Sequence, residues 1–180
     1  MDAAVYAWCD RHLRARWAQV VSAALSNASD YGMVWVLVSA WRARKPGPAR
    51  CQAVVDLAVA GAASYGTNRF VKRVAARPRP RVSDEPRVPG VRRPASSSFP
   101  SGHTLAAFTA SVVLARSPAQ TFGWLAFSSA VGISRVHLRL HHASDVLGGA
   151  VIGVAMGFSA RPLAQRVGHR VAECACEPRR

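Results

Sequence analysis

Three short clusters carry side chains that can handle a phosphate ester. The first is Lys72-Arg73-x3-Arg77-Pro78-Arg79-Pro80. Between Arg69 and Arg93 there are nine basic residues and two acidic ones, Asp84 and Glu85. Arg offers a planar fork of donors and Lys a point charge, and both suit phosphoryl oxygens. The chain has 22 Arg and two Lys, so Lys72 stands out against its background. Lys72 and Arg79 lie seven residues apart, two helical turns, and Pro78 and Pro80 end any helix there, which puts Arg79 at its exit. The second cluster, Pro100-Ser101-Gly102-His103-Thr104, opens an apolar run. Ser101 is a natural N-cap, Gly102 permits close backbone approach, and a helix start presents free N–H groups to an anion beside His103.

The third cluster is Ser134-Arg135-x5-His141-x3-Asp145. His141 and Asp145 are spaced i,i+4, so the carboxylate can accept from one ring nitrogen and leave the other as base or nucleophile. Arg135 adds a further phosphate ligand. Plainer readings exist for each cluster: a basic membrane rim, an ordinary capped helix, a chance His–Asp pair. A metal site from His137, His141, His142 and Asp145 ranks lower, because no Cys or further carboxylate joins them. No metal and no cofactor is expected.

The elements that must position these residues follow from composition and punctuation. The chain has 180 residues, a formal charge of +15 and 50% apolar residues, which excludes a disordered basic tail protein. Four cysteines without a C-x-x-C argue against a zinc ribbon and give no disulfide framework. Apolar segments recur at Tyr31–Arg44, Cys51–Arg73, Gly102–Arg116, Ala119–Arg139 and Ser144–Leu163. The best span is Ala119–Arg139, since Ser117 to Ser134 carries no charge. Gly148-Gly149-Ala150 and Gly153 would let membrane helices approach closely. Tyr31–Arg44 is short for a span and is expected to draw on Trp17–Ser29. Asp56 should face the bundle or lie near a rim.

The expected fold is all-α, a polytopic membrane helical bundle of about five to six helices. Residues 1–30 read as an amphipathic, interfacial segment, 31–163 as the membrane-embedded core and 164–180 as a basic tail. A soluble all-α bundle is the alternative. If the five segments alternate in direction, Lys72, His103, Arg135 and His141/Asp145 all fall on one face. Arg42, Arg44, Lys45, Arg50, Arg116 and the Arg161–Arg180 stretch fall on the other.

Lys-x6-Arg-Pro, Pro-Ser-Gly-His and Ser-Arg-x5-His-x3-Asp, in that order, resemble the three-part signature of the type-2 phosphatidic acid phosphatase superfamily. That group includes lipid phosphate phosphatases, undecaprenyl-diphosphate phosphatases and vanadium haloperoxidases. The resemblance spans Lys72 to Asp145. It implies a metal-independent phosphatase in which His141 attacks phosphorus, Asp145 supports it, and His103 protonates the leaving oxygen and then activates water. Lys72, Arg79, Ser101, Gly102 and Arg135 would hold the phosphoryl oxygens. His137 stands where many membrane members have an aromatic residue, and His142 is an added neighbour.

The functional expectation is an integral-membrane phosphatase of lipid phosphates or diphosphates. Undecaprenyl diphosphate and phosphatidic acid lead, and phosphatidylglycerol phosphate and polyprenyl-phosphate sugars also fit. Its partners would be the lipid substrate and membrane lipids, with no nucleic acid; the oligomeric state is left open. Contacts that choose the lipid should lie in Arg81–Phe99 and on lipid-facing helix surfaces. The alternatives are a vanadate-dependent haloperoxidase and a non-catalytic basic protein that binds nucleic acid or anionic lipid through Arg69–Arg93. The basic far face points to the cytoplasm, which would turn the site to the extracytoplasmic side.

Overall fold

The computed structural model describes residues 1–80, 91 and 95–176. Seven α-helices follow in order: α1 Asp2–His12, α2 Arg16–Ala28, α3 Met33–Arg42, α4 Pro48–Ala75, α5 Gly102–Leu114, α6 Pro118–His137 and α7 Ala143–Cys176. No strand occurs among the described residues. Residues 81–90 and 92–94, most of the expected lipid-selecting loop, lie outside them.

Helix α5 is the axis, packed between α4, α6 and α7. Its side chains are mostly small or β-branched, and Leu105, Val113 and Leu114 are fully buried. The approach of α7 depends on missing β-carbons. A Cβ at Gly153 would stand 2.6 Å from the Leu105 carbonyl oxygen, and one at Gly149 would stand 2.9 Å from that of Ser101. Van der Waals contact between backbones replaces side-chain packing there, as in membrane bundles.

Large apolar side chains point the other way. Tyr65 and Phe70 on α4, Phe122 on α6, and Val151 and Phe158 on α7 are all more than 60% exposed. A soluble bundle buries such residues and exposes charge. Here small and polar residues fill the interior and bulky apolar ones coat the outside, which argues against the soluble alternative. Helix α7 has the length and composition to cross a membrane.

Helices α3 to α7 alternate in direction. Asp30, just before α3, meets His103 at the start of α5, whereas Arg42 at the end of α3 reaches the Leu114 carbonyl at the end of α5. Asp56 is buried near that far end and bonded to Gln52 and Arg116.

Two expectations change. Helix α2 does not lengthen α3. A 3-10 turn over Asp30–Gly32, with Gly32 left-handed at φ 71°, separates them. Helix α2 instead lies at the site end, where Ser22 meets His137 and Ser26 meets Arg135. The basic tail also differs, because α7 continues without a break through residues 164–176. Ala164, Gly168 and Ala172 form a buried stripe at four-residue spacing, and Gln52 of α4 donates to the Ala164 carbonyl at 3.0 Å. Arg166 and Arg170 point outward. A charge count hides this stripe; helical spacing displays it.

Candidate active site

The α4 exit, the α5 start and the α6–α7 turn meet at one end of the bundle. Lys72, in the last turn of α4, donates to the Ser97 carbonyl at 2.9 Å and to Ser96 Oγ at 3.0 Å. Ala76, left-handed at φ 40°, caps α4, and the chain leaves through Arg77-Pro78-Arg79-Pro80. Arg79 is thus swung over the site, where Nη1 donates to the Leu140 carbonyl at 2.7 Å and Nε to that of Ser96 at 2.9 Å.

His141 sits in the α6–α7 turn with 1% of its surface exposed. Nδ1 lies 2.7 Å from the Ser98 carbonyl oxygen. A carbonyl only accepts, so Nδ1 carries the hydrogen and Nε2 keeps its lone pair. Nε2 lies 3.2 Å from Arg79 Nη1, facing the cations. Burial, assisted by Arg79 and Arg135 and opposed by Asp145, pushes the imidazole down to about 4, so it is neutral near pH 7.

Asp145 does not make the expected short bond to His141; Oδ2 is 3.8 Å from Nδ1. The Ser98 carbonyl has that position. Asp145 accepts instead from Ser98 Oγ, from the His142 backbone N–H at 2.8 Å and from Arg77 Nη1 at 2.7 Å. It ties the Ser98 segment to the His141 turn and so orients the ring from one step back.

Ser101 occupies the N-cap position of α5 but caps no backbone N–H; its hydroxyl accepts from Thr104 Oγ1 at 3.0 Å. The first-turn N–H groups of α5 therefore stay available to an anion. Gly102 lies against Asn68, where a Cβ would come within 3.1 Å of the amide nitrogen. His103 follows, with Nε2 2.6 Å from Asp30 Oδ1. Arg135 is 1% exposed, gives Nη1 to Ser26 Oγ, and has no hydrogen-bond partner for Nε or Nη2 among the described residues. Two buried guanidinium donors without a partner are costly unless a ligand completes them.

A cavity of about 470 Å³ opens from this cluster. Lys72, Arg79, Gly102, His103 and His141 line one end, and Trp35, Val36, Leu57, Ala60, Tyr65 and Ala110 line the rest. Polar groups at one end and an apolar trough at the other suit an amphiphile.

Several site residues escape the motif reading. Arg77 bridges Ser144, Asp145 and Asp2. Helix α1, expected only to lie on a surface, is bolted to the α6–α7 turn. Tyr6 OH donates to the His141 carbonyl at 3.2 Å and lies 3.1 Å from His142 Nδ1. Asp2 accepts from the Ser144 N–H at 2.9 Å, and Asp10 pairs with Arg139 at 2.6 Å. His137 bonds Ser22. The four suggested metal ligands thus point to separate partners, and no group of three such ligands occurs among the described residues. Arg77 and the acids of α1 are visible in the sequence as charges; their pairing spans too much chain for spacing to show it.

Comparison with known proteins agrees with these features. Lipid A 1-phosphatase of Porphyromonas gingivalis is 40% identical over 68 residues, covering 35% of this chain and 15% of that much longer protein. The crystal structure of a transmembrane PAP2-type phosphatidylglycerolphosphate phosphatase from Bacillus subtilis matches with a TM-score of 0.70 at 23% identity, over 92% of this chain and 85% of that one. That likeness is one of fold. The sequence pattern of the PAP2 superfamily matches residues 53–168, a stretch that holds all three motifs, and the chain belongs to that superfamily.

Proposed function

We propose that this protein is a multi-pass membrane phosphatase that hydrolyses lipid phosphate or diphosphate esters through a phosphohistidine, without a metal. The observation that carries the reading is the join of two environments. A neutral His141 whose Nε2 lone pair faces Arg79 stands with Lys72 and His103 at the polar end of an apolar cavity, and the buried Arg135 of the same cluster keeps donors without a partner among the described residues. A headgroup would take the donors and its tail the trough.

The chemistry follows from the placement. Lys72, Arg79, Arg135 and the α5 N–H groups neutralise the three phosphoryl oxygens, whose charge is spread in the transition state. His141 Nε2 forms a bond to phosphorus as the phosphorus–oxygen bond to the lipid breaks. His103 gives its proton to the leaving oxygen. It then takes one from water as that water attacks phosphorus and releases phosphate from His141. Asp145 steadies the turn that carries the nucleophile.

The basic residues of the far end, Arg42, Arg44, Lys45 and Arg116, border a second cavity of about 350 Å³. Cationic loops favour the cytoplasm, so we place the site on the extracytoplasmic face. Undecaprenyl diphosphate and phosphatidic acid lead as substrates; the name of one relative matches the phosphatidylglycerol phosphate already in the set, and that of the other adds a lipid A 1-phosphate.

The test is phosphate release by the detergent-solubilised protein from a panel of these lipids. At least one should be turned over by the wild type and none by His141→Ala. A wild type inert toward all of them, or a protein that leaves membranes in a high-salt wash, sinks the reading in favour of a basic binding protein.

A further inference from the structure

His103 has a carboxylate partner that none of the three motifs contains. Asp30 sits in the 3-10 turn between α2 and α3, outside residues 53–168, and its Oδ1 lies 2.6 Å from His103 Nε2. The turn is built to deliver it. Gly32, left-handed at φ 71°, sends α3 away, and Ser29 Oγ donates back to the Leu25 carbonyl at 2.7 Å to close α2. Ser29 and Gly32 both line the cavity that His103 and His141 share.

The charges acting on the His103 ring are unequal. Burial is the largest influence and favours the neutral ring, as do the cations Arg135 of α6 and Lys72 of α4, while the hydrogen bond and charge of Asp30 favour the protonated form. The remaining ring nitrogen, Nδ1, is the one left for the substrate. A proton donor placed among phosphate-binding cations needs such a counter-charge, or it arrives at the leaving oxygen already deprotonated.

We propose that Asp30 is the positioning residue of the acid–base histidine. Its carboxylate accepts Nε2–H, aims Nδ1 at the leaving oxygen and favours the protonated ring against burial and the neighbouring cations. When the phosphorus–oxygen bond breaks, the oxygen takes the Nδ1 proton along with the bonding pair. His103, now neutral and still held by Asp30, recovers a proton from the attacking water. This rests on the phosphatase reading above. The nucleophilic half of the site, His141 with Asp145, belongs to the motifs; the acid–base half is completed by the N-terminal turn.

The test compares leaving groups. A lipid alkoxide needs a proton to depart, and p-nitrophenolate does not. For Asp30→Asn, kcat/KM with a lipid monophosphate should fall about 100-fold, in the range of general acid catalysis. With p-nitrophenyl phosphate it should stay within about threefold of the wild type, since no proton transfer is required. The alkaline limb of the lipid pH profile should move about one unit lower, the size of losing one nearby opposite charge. Asp30→Glu should restore part of both. If Asp30→Asn is not recovered folded in detergent, Asp30→Ser supports the same comparison. An equal loss on both substrates, or an unmoved alkaline limb, marks Asp30 as merely structural and overturns the inference alone. A wild type inert toward every substrate overturns the phosphatase reading and this inference with it.

Discussion

The bundle has a polar cluster at each end, and the two differ in whether their hydrogen-bonding capacity is closed. At the far end the buried carboxylate of Asp56 accepts from Gln52 and Arg116, Gln52 also donates to the Ala164 carbonyl, and Arg42 is spent on Leu114 and Gln120. At the site end cations crowd together, Arg135 keeps two buried donors without a partner among the described residues, and a cavity opens beside Lys72, Arg79 and His103. Both ends are built from Arg and Asp among small-residue helices. The closed cluster is a clasp; the open one, on the function proposed above, takes an anion. The difference lies in whether the buried charged groups are paired, not in residue type, and it marks the site end as the candidate for binding.

The sharpest way to break this contrast is at the nucleophile. His141→Ala should lower phosphate release by at least about 1,000-fold, while gel filtration in detergent shows a folded protein. Activity above that level would mean another group attacks phosphorus.

Next comes a pair of arginines. Arg135→Leu should cost about 100-fold or more in kcat/KM, because a preorganised oxyanion donor is lost. Its melting temperature should hold or rise, since unpartnered donors leave the interior. Arg116→Leu should do the reverse. It strands the Asp56 carboxylate, 1% exposed, at a cost on the order of 3 kcal/mol, and leaves kcat/KM nearly unchanged. If both variants lose stability alike, the two ends do not differ in kind.

A smaller effect is expected with pH. His141 is held near 4 when folded, below its ordinary 6.5, so the unfolded chain binds the extra proton first. Its contribution to stability is complete above pH 6.5 and is lost as pH falls from there toward 4. Melting curves of the wild type should therefore decline over that window more steeply than those of His141→Ala. Equal slopes would show that the imidazole is not held neutral.

The smallest change should come from metal removal: EDTA should leave turnover unaltered, and orthovanadate, as a five-coordinate phosphorus mimic, should inhibit. Loss of activity in EDTA that zinc restores would reopen the metal reading of His137, His141, His142 and Asp145.

Much of the architecture is legible in the sequence because it is written in local spacing. Apolar runs, proline punctuation and the i,i+4 pattern locate α4 through α7 and put Lys72, His103, Arg135 and His141 at one end. What fails to show is of two kinds. The 164–176 stretch reads as a tail when charge is counted and the Ala164–Gly168–Ala172 stripe is not. The i,i+4 spacing assigns the orientation of His141 to Asp145 because such neighbours meet on a helix. His141, however, lies in the turn before α7, where a backbone carbonyl from the α5 approach is nearer.

From the amino-acid order alone come the helices, their alternation and the phosphate-handling residues, since each depends on neighbours within a turn or two of the same chain. Tertiary structure alone decided which partner each of those residues has. Asp30 reaches His103 across 73 positions, and Tyr6 reaches the His141 backbone across 135. Contacts of that kind depend on how close the small-residue faces let the helices come, and that closeness exists only once the whole bundle is packed.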